Sequence, residues 1–170
     1  MVDRNSSPGL GTLSVWGGEP DEMWERSTQV PVVHSVSYGY KDLDEWLAVA
    51  RGDRSGHIYS RNTNPTVAVF EEKVKVLERA EAATAFSTGM AAVSATLNTF
   101  LAPGDRVVSI KDTYGGATKI FLEFLPKLNI EVTLCDTNDY EAIESEIAKG
   151  CRLVYLETPT NPTLKVLDLD

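Results

Sequence analysis

Cysteine and histidine are scarce in this sequence of 170 residues, which contains two of each. Cys135 and Cys151 do not have the spacing of metal ligands, which argues against a disulfide scaffold and against a zinc site built from cysteines. His34 and His57 have no Cys, Asp or second His at ligand or catalytic spacing, and this favours structural roles for both. The sequence therefore predicts no metal site and two reduced, structural thiols.

Long apolar runs and a surplus of basic residues are also missing. No apolar run approaches the roughly 20 residues that cross a bilayer, and residues 1–11 lack the basic and then apolar pattern of a signal peptide. The sequence contains 16 Lys and Arg residues and 25 Asp and Glu residues, which gives a formal net charge of −9. This charge argues against nucleic acid or an anionic membrane as the main partner. We expect a cytoplasmic protein.

The chain contains an irregular first part and a regular second part. Residues 1–60 are punctuated by Ser, Gly and Pro, and their one predicted helix, Leu43–Ala50, carries Trp46 on an apolar side. Because this arm cannot make a core of its own, we expect it to dock on a neighbouring subunit. Residues 61–170 are predicted to begin an α/β domain.

Helices and strands are predicted to alternate after Asn64. The predicted elements are helix Pro65–Arg79, strand Ala82–Phe86, helix Met90–Leu101, strand Arg106–Ile110, helix Tyr114–Leu128 with a stripe of Ile120, Phe124 and Leu128, strand Ile130–Cys135, a helix capped by Asn138 and ended by Gly150, and strand Leu153–Glu157. This alternation is typical of a mostly parallel sheet covered by helices on both faces. A further apolar run begins at Val166, so we expect a fragment of a longer chain or one half of a split protein.

Three loops lie where such sheets bind ligands, beyond the carboxyl ends of the strands. The turn at Gly89 could accept an anion at the start of a helix, or it could be a simple capped start. Its glycines do not form a dinucleotide fingerprint. Tyr114 could stack on a planar ligand or be a half-buried surface aromatic, and Asn161 could contact a ligand or lie in a rigid turn. Tyr59 and Arg61 could grip a phosphate or belong to a polar linker.

These segments together resemble a known family. The residues that carry the resemblance are Tyr59-Ser60-Arg61 with Asn64-Pro65-Thr66, Ser87 to Ala92 (Ser-Thr-Gly-Met-Ala-Ala), Tyr114-Gly115-Gly116, and Glu157-Thr158-Pro159-Thr160-Asn161-Pro162. In order and spacing they are similar to the Cys/Met metabolism group of pyridoxal-phosphate (PLP) enzymes, which contains cystathionine γ-synthase, O-acetylhomoserine sulfhydrylase and methionine γ-lyase. The resemblance covers Gln29 to Asp170. It implies the amino-terminal part of an aspartate-aminotransferase-like (fold type I) large PLP domain, incomplete in this chain.

The resemblance also implies roles for individual residues in binding pyridoxal 5'-phosphate. Gly89 and Met90 would give backbone N–H groups to its phosphate, which Tyr59 and Arg61 would reach from the neighbouring subunit. The active sites would then be shared in a dimer, within a homotetramer.

The ring of the cofactor would meet residues of the later loops. Tyr114 would stack on it and could transfer a proton, and Asn161, supported by Glu157, would lie near its phenolic oxygen. The family's Schiff-base lysine, its ring-nitrogen aspartate and its substrate arginine are not in this chain. Lys119 imitates the lysine motif but lies inside a predicted helix, so we reject it.

The implied activity is γ-elimination or γ-replacement on a homoserine-type or sulfur amino acid. Gly116 stands where methionine γ-lyases typically carry Cys, which shifts the expectation toward a γ-synthase, a sulfhydrylase or a lyase for another γ-substituted amino acid. The 170 residues alone are expected to be inactive. The alternative is a non-catalytic fragment or half of a split enzyme whose partner chain supplies the lysine.

Overall fold

The computed structural model describes residues 9–18 and 27–169. The chain divides into two compact units, residues 1–85 and 86–170. The arm of residues 1–60 lies wholly within the first unit, and its docking on a neighbouring subunit stays a prediction.

The described residues of the first unit form three helices: α1 (Leu10–Trp16), α2 (Leu43–Ala50) and α3 (Pro65–Glu78). Helix α2 has the predicted bounds, and Asp42 caps it by accepting from the backbone N–H of Glu45. The prediction of a single helix in the arm was wrong, because α1 is a second one. This helix begins at Gly9 without a side-chain cap, so the sequence carries no start signal for it.

Helix α3 begins as the sequence predicts. Asn64 accepts hydrogen bonds from Thr66 N and Val67 N, and Pro65 occupies the first helical position. The apolar side of α3 does not become a core, since the helix has no buried residue and Phe70 is 60% exposed.

The strand expected at Ala82–Phe86 does not form, and this prediction was wrong. These residues belong to none of the ladders of the sheet. The N–H of Ala85 instead donates to Glu71 Oε1 of α3 at 2.7 Å. An apolar run becomes a strand only where a neighbouring strand takes its backbone hydrogen bonds, and here a side chain takes one of them.

The second unit is built on a parallel sheet of three strands. The strands are β1 (Arg106–Ile110), β2 (Glu131–Cys135) and β3 (Leu153–Tyr155), in the order β2-β1-β3. Arg106 pairs with Glu131, and Val107 pairs with Leu153, so all three strands run in one direction. The predicted parallel α/β arrangement is confirmed, although β3 ends two residues before Glu157.

Side chains alternate between the two faces of the central strand, and each face has its own apolar cluster. Val107 lies in a cluster with Leu97, Phe121 and Leu125, whereas Val108 and Ile110 pack with Cys135, Ile143 and Leu167. Helix α4 (Gly89–Phe100) contributes to the first cluster and helix α6 (Tyr140–Ala148) to the second. Burial on both faces fits the sequence of β1, in which Val107 and Val108 are adjacent and do not alternate with polar residues.

The helix expected over Tyr114–Leu128 is broken into three pieces. It consists of α5 (Gly115–Lys119), a π-helical turn (Ile120–Phe124) and a 3-10 turn (Pro126–Leu128). Pro126 has no N–H, which ends the regular ladder. The predicted stripe was wrong by one residue: Phe121 and Leu125 are buried, whereas Phe124 is 51% exposed. Apolar residues at adjacent positions form two possible helical stripes, and the stripe that packs on the sheet is the one with Phe121 and Leu125.

Helix α6 starts one residue later than the predicted capping box implies. Asp139, not Asn138, accepts the N–H of Ala142 at 3.0 Å. Asp and Asn are comparable caps, so their adjacency hid the true start. The predicted stop is confirmed, because Gly150 follows the helix with a φ of +93°, a conformation that glycine adopts at little cost.

Candidate functional site

A cleft of about 530 Å³ opens in the second unit at the carboxyl ends of the strands. Its walls come from the start of α4, the start of α5, the end of β3 and the loop that follows β3. The residues that line it are Thr88, Gly89, Met90, Val93, Tyr114, Ala117, Tyr155, Glu157 and Asn161. This is where open parallel sheets bind their ligands.

The start of α4 forms one wall of the cleft. Thr88 caps the helix, since its hydroxyl accepts the N–H of Ala91 at 3.0 Å. The N–H groups of Gly89 and Met90 belong to the first turn, where helices have no internal acceptor. No atom lies within 4 Å of the position that a Cβ on Gly89 would take, so a ligand has room to approach the backbone there. The wall suits an anion.

Tyr114, the residue before α5, forms another wall of the cleft. Its side chain is 49% exposed, which leaves a ring face available to a ligand. Behind the ring, a Cβ added to Gly116 would lie 2.7 Å from Tyr114 Cε1 and 2.8 Å from Met90 Sδ. Real Cβ atoms essentially never come so close, so the absence of a side chain at Gly116 makes room for both neighbours.

Glu157 connects two parts of the cleft. One carboxylate oxygen accepts the backbone N–H of Tyr114 at 2.8 Å, and the other accepts the hydroxyl of Tyr155 at 2.9 Å. The Tyr155 ring packs edge-on against Phe121 of the apolar cluster. Burial, and then the hydrogen bond and charge of Glu157, raise the pKa of the Tyr155 phenol, so Tyr155 is a hydrogen-bond donor at neutral pH.

Asn161 reaches the cleft from a loop that polar contacts hold in place. Its neighbour Thr160 is buried, pairs with the Thr163 hydroxyl at 2.7 Å and accepts the N–H of Lys165 at 2.9 Å. The bonds before Pro159 and Pro162 are both cis. Asn161 itself is exposed and offers an amide donor and acceptor.

Tyr59 and Arg61 lie in the first unit, on a segment that we call the clamp loop (residues 59–61). The Arg61 guanidinium lies 5.2 Å from the centre of the Tyr59 ring. The loop is tied down by Ser60, whose N–H donates to Val36 O at 2.8 Å, and by Asn64, whose amide lies 3.2 Å from the Ser60 hydroxyl. Both Tyr59 and Arg61 are exposed.

The cleft therefore brings together five of the seven residues that the sequence suggested. These are Gly89, Met90, Tyr114, Glu157 and Asn161, while Tyr59 and Arg61 belong to the other unit. Sequence reasoning missed Tyr155. A signal was present, because residues two apart in an extended segment point to the same side, and Tyr155 precedes Glu157 by two. Lys119 does not line the cleft and forms an exposed ion pair with Glu123.

The remaining titratable candidates are not among the residues that line the cleft. His57 is partly buried, its Nδ1 has no hydrogen-bond partner, and burial lowers its pKa. Cys135 is buried and Cys151 is partly buried, and neither forms a disulfide. Within the described ranges, no group of three or more His, Cys, Asp and Glu residues could hold a metal ion. Over the same ranges, no helix combines the length and apolar character that a bilayer span requires.

Comparison with known proteins gives a consistent result. The family model for the Cys/Met metabolism PLP-dependent enzymes matches residues 11–170. An L-methionine gamma-lyase of Fusobacterium nucleatum subsp. polymorphum is 36% identical over 162 residues, which are 95% of this chain and 41% of that protein. A cystathionine gamma-lyase of Bacillus subtilis is 37% identical over 158 residues, covering 93% of this chain and 39% of the relative.

Solved structures show the same similarity. A protein of Campylobacter jejuni, described as an O-acetylhomoserine (thiol)-lyase and crystallised with N'-pyridoxyl-lysine-5'-monophosphate, superimposes with a TM-score of 0.86 at 26% identity. It is matched over 95% of this chain and 40% of its own. A cystathionine gamma-lyase of Lactobacillus plantarum in complex with L-serine gives a TM-score of 0.79 at 28% identity, over 94% and 39% of the chains. The chain thus spans about 40% of the length of these relatives.

Proposed function

Because the chain belongs to the family of Cys/Met metabolism PLP-dependent enzymes, we propose that the protein catalyses γ-elimination or γ-replacement on a homoserine-type or sulfur amino acid. Its fold is the α/β fold of the fold type I PLP enzymes, and its cofactor is pyridoxal 5'-phosphate. The observation that carries the proposal is the convergence of Gly89, Tyr114 and Asn161, from three separate loops, on one cleft.

The cleft fits the chemical groups of this cofactor. The first turn of α4 offers backbone N–H groups to a phosphate, and the open space at Gly89 admits it close to the backbone. The exposed Tyr114 ring offers a flat apolar face to a pyridine ring. The Asn161 amide lies on the same cleft and can hydrogen-bond a phenolic oxygen.

Each of these residues contributes to orientation and charge. When bound, pyridoxal phosphate supplies the electron sink that lets bonds at the substrate's α and β carbons break. Gly89 and Met90 would hold the phosphate end, and the Tyr114 ring would lie against the pyridine ring and limit its tilt. The Tyr114 hydroxyl can also accept or donate a proton next to the bound amino acid.

We propose that Arg61 and Tyr59 act on a partner's site, as the family resemblance implies. The exposed Arg61 guanidinium can form paired hydrogen bonds with a phosphate, and it already lies over the Tyr59 ring. Such sharing needs at least a dimer, and a homotetramer in the cytoplasm is the assembly that we propose. The substrate is a small amino acid, with no role for nucleic acid or a membrane.

Gly116 bears on the choice among the activities of the family. A Cys at this position would meet the Tyr114 ring and the Met90 sulfur unless they moved. The wall next to Tyr114 therefore differs in shape from that of a γ-lyase with Cys at the position of Gly116. We propose a γ-synthase, a sulfhydrylase or a lyase for another γ-substituted amino acid in preference to a methionine γ-lyase.

The test is to isolate the full-length protein, add pyridoxal 5'-phosphate and record its visible absorbance. We expect a cofactor band that borohydride removes, with the label mapped to a lysine outside these 170 residues. Elimination would release a 2-oxo acid and ammonia from methionine, cystathionine or O-acetylhomoserine. Replacement on O-acetylhomoserine by added sulfide or cysteine would instead release acetate and form a sulfur amino acid without a 2-oxo acid, so assays for both kinds of product identify the reaction. The chain of 170 residues alone serves as the inactive control. A colourless protein that binds a nicotinamide instead would overturn the proposal.

A further inference from the structure

The Glu157 carboxylate is placed to fix the turn that carries Tyr114. We propose that Glu157 is a positioning residue which, together with Tyr155, holds the backbone of Tyr114 so that its ring has one orientation on the cleft. This inference rests on the proposed function, in which the Tyr114 ring supports a planar cofactor. It assigns Glu157 to the support of Tyr114, whereas the family resemblance implied that Glu157 supports Asn161 near the cofactor's phenolic oxygen.

The two hydrogen bonds define the tie. Glu157 Oε2 lies 2.8 Å from Tyr114 N, and Glu157 Oε1 lies 2.9 Å from the Tyr155 hydroxyl. Each oxygen thus serves a different donor, and the two donors belong to different elements. A carboxylate that accepts a backbone N–H makes a stronger bond than a neutral acceptor. The loop after β3 is thereby bonded directly to the start of α5.

Tyr155 anchors this tie to the core. Its ring centroid lies 5.2 Å from that of Phe121, which is completely buried. The phenol keeps its proton because burial and the Glu157 charge raise its pKa, so the donor persists at any physiological pH. The chain of contacts runs from the apolar cluster through Tyr155 and Glu157 to the Tyr114 backbone.

The ring of Tyr114 is restricted from its other side. Gly116 leaves just enough room for the ring beside the Met90 sulfur, as the 2.7 Å approach of an added Cβ shows. With the backbone held by Glu157 and the ring seated against Gly116, Tyr114 has little freedom to swing. A preorganised wall loses less entropy when a ligand binds to it.

The variants Glu157→Gln, Glu157→Ala and Tyr155→Phe test the proposal. Glutamine can accept the Tyr114 N–H with its oxygen and donate to the Tyr155 oxygen with its amide, so it preserves the tie without the charge. Alanine removes both bonds. A positioning role predicts that Glu157→Gln stays close to the wild type, whereas a role for the charge or for proton transfer predicts that it fails as Glu157→Ala does.

Two measurements on the full-length protein separate the outcomes. In the cofactor-free protein, hydrogen exchange of the Tyr114 amide should speed up about tenfold or more in Glu157→Ala, as expected for loss of a bond to a charged group. It should speed up only about threefold in Glu157→Gln, whose neutral oxygen keeps the bond but makes it weaker. In the cofactor-loaded protein, the visible circular dichroism of the bound cofactor should fall in Glu157→Ala and be retained in Glu157→Gln. Tyr155→Phe should show a smaller change of the same kind in both.

Unchanged Tyr114 exchange in Glu157→Ala would overturn the inference. So would a Glu157→Gln variant with near-normal exchange and lost circular dichroism, because the charge itself would then be required. The exchange experiment needs no cofactor. Failure of the wild type to bind pyridoxal 5'-phosphate would therefore contradict the proposed function, while the exchange result still decides whether Glu157 holds Tyr114.

Discussion

The clamp loop and the cleft are supported in different ways. The unit that contains the cleft has an apolar core, with side chains such as Val107, Ile110 and Phe121 completely buried. In the described part of the first unit, Val49 is the one apolar side chain that is buried. The clamp loop depends on hydrogen bonds instead: the Asn64 amide donates to the Ser60 hydroxyl of the loop and to Val33 O. Apolar packing tolerates polar changes at the surface, whereas a hydrogen-bonded loop depends on each donor. The two regions should therefore fail under different substitutions.

The largest effect is expected from a cavity beneath the cleft. Phe121→Ala should lower the free energy of unfolding by about 3 to 5 kcal/mol, because the ring is completely buried among apolar neighbours. Urea denaturation followed by circular dichroism measures the loss. Phe124→Ala is the matched control: that ring is 51% exposed, and we expect a change below about 1 kcal/mol. Equal losses of unfolding free energy in the two variants would mean that the buried apolar cluster does not stabilise the unit that contains the cleft.

The next effect concerns the clamp loop and its proposed ligand. Arg61→Ala should weaken retention of pyridoxal 5'-phosphate by about 1.5 to 3 kcal/mol, the range for a hydrogen bond to a charged group. Equilibrium dialysis of the full-length protein gives the change. Arg54→Ala removes the same charge from an exposed pair with Glu45 and should leave retention unaltered. An unchanged affinity in Arg61→Ala would remove Arg61 from the site.

A smaller effect tests whether hydrogen bonds alone hold the clamp loop. In Asn64→Asp the side-chain oxygen can still cap α3, but the amide that donates to Val33 O at 2.9 Å is lost and a carboxylate faces that carbonyl. We expect a loss of about 1.5 kcal/mol in unfolding free energy and faster exchange of the Ser60 amide. Asn62→Asp places the same charge on an exposed neighbour and should change neither quantity. The same loss in both variants would point to charge and not to the hydrogen bonds.

The two regions also differ in what their sequences reveal. Tyr114 and Asn161 were predictable as site residues because a parallel sheet places the loops after its strands, here β1 and β3, at one edge, and that placement follows from the order of elements alone. Gly89 was predicted on the same ground and lines the cleft, although the strand expected before it does not form. Asn64 was predictable as a cap from its place before Pro65, but its hydrogen bond to Val33 O was not, since it joins residues 31 positions apart in sequence.

The choice of the buried stripe within residues 120–125 was hidden for a related reason. Apolar residues at 120, 121, 124 and 125 fit two helical stripes equally well. Only packing against the sheet decides between them, and a single sequence does not contain that choice. The tie from Glu157 to Tyr114 N was hidden in the same way, because its acceptor and donor are 43 residues apart.

The smallest effect measures how closely the cleft wall is fitted. Gly116→Ala places a Cβ at 2.7 Å from Tyr114 Cε1 and 2.8 Å from Met90 Sδ, so both side chains must shift by several tenths of an ångström. Both are side chains and not backbone, so we expect a loss of only about 1 kcal/mol in cofactor retention, at the low end of overpacking. Gly115→Ala is the control, because no atom lies within 4 Å of its Cβ position and alanine favours a helix. Weaker cofactor retention in Gly116→Ala, with normal retention in Gly115→Ala, would locate the fitted surface next to the Tyr114 ring. Equal retention in the two variants would show that this wall accommodates a methyl group as easily as the open position at Gly115 does.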